Sequence, residues 1–227
     1  MSLWTTSIPN SSLQRAAQAG TLEERIAMLP DGPLAIVVPT SRQRTEALVA
    51  WARVHGRGEP PEIFTMWGFT RALGQIVLPD GPRIMPDASI DILLRYAAHA
   101  ARIRPGAIRM QASRLARWAQ EGLSPGLIQQ LSGRVDGSRR RKQLQMVSNV
   151  WFELLDLVGK RACDRGTYCA LVVDEIARRS TFTLQRPSGE SISRLIVLDT
   201  HGVSFVDRML LHALCRCQWD VAVAFSP

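Results

Sequence analysis

The chain has 227 residues, 46% hydrophobic and 21% charged, with 28 basic and 20 acidic residues for a net charge of +8. That composition belongs to a globular protein with one large core or two small ones, and it excludes collagenous, disordered and disulfide-scaffold classes. No window has the ~18 consecutive apolar residues a membrane helix needs, and Met1-Ser-Leu-Trp-Thr-Thr6 lacks the charged and apolar regions of a secretory leader. A cytoplasmic protein with no membrane partner is expected.

In chain order, Leu3–Ile8 reads as a first strand ending at Pro9-Asn10, and Ser11 or Ser12 as the cap of a helix running to about Met28. Pro30-Asp-Gly-Pro33 is turn chemistry. Leu34-Ala-Ile-Val-Val38 is a buried strand closed by Pro39-Thr40-Ser41, with a helix from there to about His55. After a Gly- and Pro-rich loop, Glu62-Ile-Phe-Thr65 reads as a third strand and the stretch from about Trp67 to Val77 as a helix. Strands and helices alternating at this spacing predict an α/β domain with a parallel sheet.

From Asp87 to about Arg179 the periodicity is helical only. Ile90, Leu93, Leu94 and Ala97 mark one face, and Leu115, Trp118 and Ala119 another. Ser124-Pro125 is a cap followed by a first-turn proline. A long helix is expected from about Arg139 to Arg161, and a further one over Tyr168–Ala177. Trp118, Met146 and Trp151 read as core residues rather than stacking platforms. The sheet resumes at Leu195-Ile-Val-Leu198, followed by Asp199, an amphipathic segment from Val206 to Cys215, and a last strand over Val221–Phe225. The expected organisation is 1–83 for the first part of the α/β domain, 84–180 for a helical insertion and 181–227 for the return to the sheet. The sequence stops at Pro227 as that strand ends, which suggests a piece of a longer protein.

The charge is segregated. Segment 84–179 holds sixteen basic and nine acidic residues, against eight and seven in 1–83 and four and four in 180–227. Such an excess in one segment points to a polyanionic partner. Its densest run is Arg139-Arg140-Arg141-Lys142, with Arg102, Arg104, Arg109, Arg114 and Arg117 in the same block. A solvated helix start is the plainer reading of such a run. Cys163, Cys169, Cys215 and Cys217 have no CxxC spacing, so structural thiols are expected rather than a metal site.

Two tests for nucleotide chemistry come out negative. A phosphate loop needs glycines for close backbone approach and a lysine for the terminal phosphates. The only lysines, Lys142 and Lys160, follow Arg141 and Gly159 without that pattern. The buried strand ending at Asp199 sits where ATPases place a magnesium-organising acid, yet Thr200 follows it where a catalytic glutamate belongs. No cofactor is expected, nor ATP hydrolysis or tight ATP binding. Asp199 with His201 also suggests a hydrolase, a weaker alternative because nothing upstream supplies a nucleophile or metal set.

Several segments, taken in order, resemble the N-terminal part of the B subunit of AddAB-type helicase–exonucleases, an inactivated superfamily 1 helicase domain of the UvrD/RecB-like kind. Ile36-Val-Val-Pro-Thr-Ser-Arg-Gln43 is similar to that family's strand and turn at helicase motif Ia, and Ile63-Phe-Thr-Met-Trp-Gly-Phe-Thr-Arg71 to its motif Ib. Leu115–Pro125 and the segment from Leu144 through Ala177 resemble its helical block, and Leu195–Phe205 its degenerate Walker B strand, with Asp199-Thr200 in place of Asp-Glu. The resemblance implies a RecA-like, degenerate P-loop NTPase-like sheet with a helical insertion. It implies a non-catalytic role in DNA double-strand-break repair, in contact with single-stranded DNA and an AddA-like motor subunit. Thr40, Ser41, Arg42, Thr65 and Arg71 would be the DNA contacts. The family's nuclease domain would lie beyond residue 227. The rival reading is a protein-interaction scaffold without DNA contact.

Overall fold

The computed structural model describes residues 12–56, 59–104, 110–198 and 203–224. The expected first strand, and Asp199, Thr200 and His201, lie outside them. The elements run α1 (Ser12–Gln18), α2 (Leu22–Ala27), β1 (Ala35–Val38), α3 (Ser41–His55), β2 (Glu62–Thr65), α4 (Met66–Val77), β3 (Arg83–Ile84) and α5 (Asp87–Ala100). They continue with α6 (Ala112–Gln120), α7 (Pro125–Ser132), α8 (Ser138–Val158), β4 (Ala162–Cys163), α9 (Arg165–Ala177), β5 (Leu184–Gln185), β6 (Ser191–Ile192), β7 (Arg194–Val197), α10 (Phe205–Arg216) and β8 (Asp220–Val223).

The chain divides into two compact units. The first takes residues 1–76, 176–203 and 211–227, and the second 77–175 and 204–210. The helical block therefore begins at residue 77 and ends at 175, and the first half of α10 groups with it.

In the first unit, four parallel strands stand in the order β2-β1-β7-β8. The α/β class and parallel sheet expected from the sequence are thus present. Strand β1 is an unbroken aliphatic run and all four of its residues are buried, the pattern of a parallel strand that meets the core on both faces. Ile36, Val38, Ile63 and Ile196 share a core with Leu13, Ile26, Leu34 and Ala47 from α1, α2, α3 and the turn before β1. The ladder continues one residue past β7, where the Leu198 N–H donates to the Val37 carbonyl at 2.8 Å.

The helix expected from Ser11 or Ser12 to Met28 is two helices. Gly20 interrupts it, and Thr21 restarts it as an N-cap. The Glu24 N–H donates to Thr21 Oγ1 at 3.2 Å, and the Thr21 N–H donates to Glu24 Oε2 at 2.9 Å. The stretch between α9 and β7, unassigned from sequence, contains the antiparallel pair β5–β6. Arg186 ties this pair down. Its side chain is 6% exposed, with Nη1 on Glu190 at 3.0 Å and Nη2 on the Pro60 carbonyl at 3.1 Å.

Among its described residues, the second unit is helical apart from one two-residue parallel pair, β3 with β4, which helical periodicity over 87–179 did not anticipate. Its core joins Ile90, Leu94 and Ala97 of α5, Leu115 and Ala119 of α6, Ile128 of α7, and Val150, Trp151 and Leu154 of α8. Ser124 caps α7 by accepting from the Leu127 N–H, with Pro125 at the first helical position. Helix α8 stops at Gly159, whose φ of 65° is the left-handed conformation that favours glycine. Asp164 opens α9 by accepting from the N–H groups of Gly166 and Thr167. Gly166 is required there, since a Cβ would meet the Ala116 carbonyl and lie 2.6 Å from the Ala119 Cβ.

Candidate nucleic-acid interface

All four strands of a parallel sheet present their carboxyl ends at one edge, where α/β proteins place ligands. Val38 of β1 pairs with Thr65 of β2, so the turn Pro39-Thr40-Ser41 and Thr65 are neighbours at that edge. The structure therefore brings together Thr40, Ser41 and Thr65, and starts a helix from each strand end.

Both hydroxyls are already helix caps. Thr40 Oγ1 accepts from the Gln43 N–H at 3.2 Å and donates to Gln43 Oε1 at 2.9 Å. Thr65 Oγ1 accepts from the Gly68 N–H at 3.1 Å. The threonines thus position the first turns of α3 and α4, and the groups left to meet an anion at Thr40 are exposed backbone and the positive end of α3. The first turn of α3 has no acid and carries Arg42 and Arg44. Arg42 is 88% exposed and its Nε donates to Glu46 Oε1 at 2.8 Å, an i,i+4 pair of small energetic weight that an incoming phosphate can displace. Arg71 is exposed on α4.

The second candidate cluster, Arg139, Arg140, Arg141 and Lys142, occupies the second unit at the start of α8, with all four side chains exposed. Its helix end is unusual. Gly137 takes the cap position with φ 96°, no side chain caps the helix, and no acid lies in the first turn. Four cations are therefore stacked on the positive end of a 21-residue helix, opposite to the distribution that stabilises helices.

Asp199 and Thr200 fall outside the described residues, so the acid-bearing strand is seen only to Leu198. Of the thiols, Cys163, Cys169 and Cys217 are buried and Cys215 is exposed. Burial pushes the Cys163 and Cys169 thiols up to about 12, as inert packing residues require. Among the described residues, no three His, Cys, Asp or Glu side chains gather as a metal site. His55 stacks on Trp51 with ring centroids 3.8 Å apart, and its Nε2 lies 3.2 Å from the Ile26 carbonyl. His99 and His212 lie exposed on α5 and α10.

The sequence matches no family model and no curated protein.

Proposed function

We propose that this chain is a RecA-like, helicase-type domain that lacks nucleotide chemistry, part of a subunit of a DNA double-strand-break repair helicase–nuclease. It holds single-stranded DNA and scaffolds a motor subunit in the cytoplasm, while catalysis takes place elsewhere. The observation that carries this reading is the register of β1 and β2. It sets the motif Ia-like turn at Thr40 and Ser41 beside the motif Ib-like residue Thr65, on a sheet edge formed by strand ends and helix amino termini. Such an edge suits phosphate oxygens, which accept from backbone N–H groups and hydroxyls and fix position without reading sequence. The basic residues of the helical unit supply the long-range attraction.

Ser41→Glu tests the edge directly. A carboxylate in the first turn of α3 favours the helix, so thermal stability is expected to hold or rise. The same charge repels a phosphate, and loss of one phosphate contact lowers single-strand affinity about five-fold at 0.1 M salt. Fluorescence anisotropy with a labelled single-stranded oligonucleotide measures it. Unchanged affinity would remove this edge from the DNA path.

A further inference from the structure

The solvent face of α5 carries the two most exposed large apolar side chains among the described residues, Tyr96 at 64% and Ile92 at 55%. They are one helical turn apart, opposite the buried face of Ile90, Leu94 and Ala97. The other exposed residues of α5 are Asp87 and Ala88 at its start and Arg95, His99 and Ala100 towards its end, with Arg102 and Arg104 just past it.

The surface is basic without compensation in sequence. Between Asp91 and Glu121 the chain has six arginines and no acid. Asp91 itself is occupied, accepting from the Ala112 N–H at 2.6 Å and so joining α5 to α6. Arg102 lies in the turn that closes α5. It ends the helix at φ 55°, the left-handed position where glycine is the default. Its N–H donates to the His99 carbonyl, and the Ile103 N–H to the Ala98 carbonyl, both at 2.9 Å. The turn so formed leaves the Arg102 side chain exposed just past the end of α5.

We infer that the α5 face is a stacking platform for single-stranded DNA, with a base lying on the Tyr96 ring beside Ile92 and the flanking phosphates met by Arg95, Arg102 and Arg104. An aromatic side chain bordered by cations is the pairing that holds single strands without sequence preference, because every base has a π-face and every linkage a charge. From Ile92 to Ala100 the helix runs about 12 Å, room for about three stacked nucleotides spaced about 3.4 Å apart. The inference rests on the single-strand reading above and names a contact that reading does not contain.

The test compares Tyr96→Ala, Tyr96→Phe and the unaltered chain by anisotropy, on an oligothymidine and on a strand of equal length with abasic linkers in place of bases. Thermal melting by circular dichroism checks that each variant is folded. Tyr96→Ala is expected to bind oligothymidine about ten-fold more weakly and to lose most of the preference for bases over abasic linkers, while Tyr96→Phe keeps both. If the unaltered chain binds oligothymidine and Tyr96→Ala binds it equally well, or Tyr96→Phe is as weak as Tyr96→Ala, the platform is overturned and the single-strand reading stands. If the unaltered chain binds neither strand, both fall together.

Discussion

Replacing Arg139, Arg140 and Arg141 together with alanine is expected to make the protein more stable and a much poorer ligand for single-stranded DNA. The stability gain follows from the first turn of α8. Three positive charges leave the positive end of a helix that has no side-chain cap and no acid in its first turn. Each such charge is unfavourable by about 0.3–1 kcal/mol at low ionic strength, and alanine is also the better helix former. The binding loss follows from counterion release. If each arginine neutralises one phosphate, the log–log salt slope flattens by about 2 and affinity at 0.1 M salt falls roughly 100-fold. Opposite movement of stability and affinity is what a functional cluster at a structurally unfavourable place produces. Melting curves paired with anisotropy titrations measure both. An unchanged slope would remove the run from the DNA site, whatever happens to stability.

Trp151→Ala is expected to destabilise the helical unit by about 3–5 kcal/mol, a large fraction of the about 5–15 kcal/mol that holds a typical protein folded. The indole is 2% exposed and sits among residues of α5, α6 and α7, with the Trp118 ring 6.4 Å away. No smaller side chain fills that volume without collapse of four helices around it. Its sequence neighbour provides the control. Phe152 is 44% exposed on the same helix, so Phe152→Ala should cost about 1 kcal/mol or less. Urea denaturation followed by far-UV circular dichroism separates the two. Equal costs would mean that the helical core is not packed around Trp151.

The parts of the fold that were legible in sequence are those with long, consistent patterns. Strand β1 is four aliphatics bounded by turn chemistry, and α8 keeps its apolar spacing from Leu144 to Val158. The break between α1 and α2 was concealed because apolar residues occur on both sides of it. Its signal was the cap pair, Thr21 and Glu24 three residues apart. The pairs β3–β4 and β5–β6 are two residues per strand, too short to show a period of two, and are set by tertiary contacts. For the candidate site, Thr40 and Thr65 were visible as strand ends, but only geometry reveals that both hydroxyls cap helices. Tyr96 and Ile92 left a readable trace that periodicity alone did not flag. Both fall off the stripe marked by Ile90, Leu93, Leu94 and Ala97, and it is their pairing one turn apart beside cations, not the exposure of either alone, that sets them apart from the chain's other exposed apolar side chains.

Titrating the unaltered chain without ATP into a labelled single strand and a duplex of equal length, each at two salt concentrations, tests the central claim most directly. The account predicts binding that prefers the single strand and weakens steeply with salt, by about 0.7 log units in affinity per tenfold rise in salt for each phosphate neutralised. No binding at low salt, or equal binding to single strand and duplex, would contradict it.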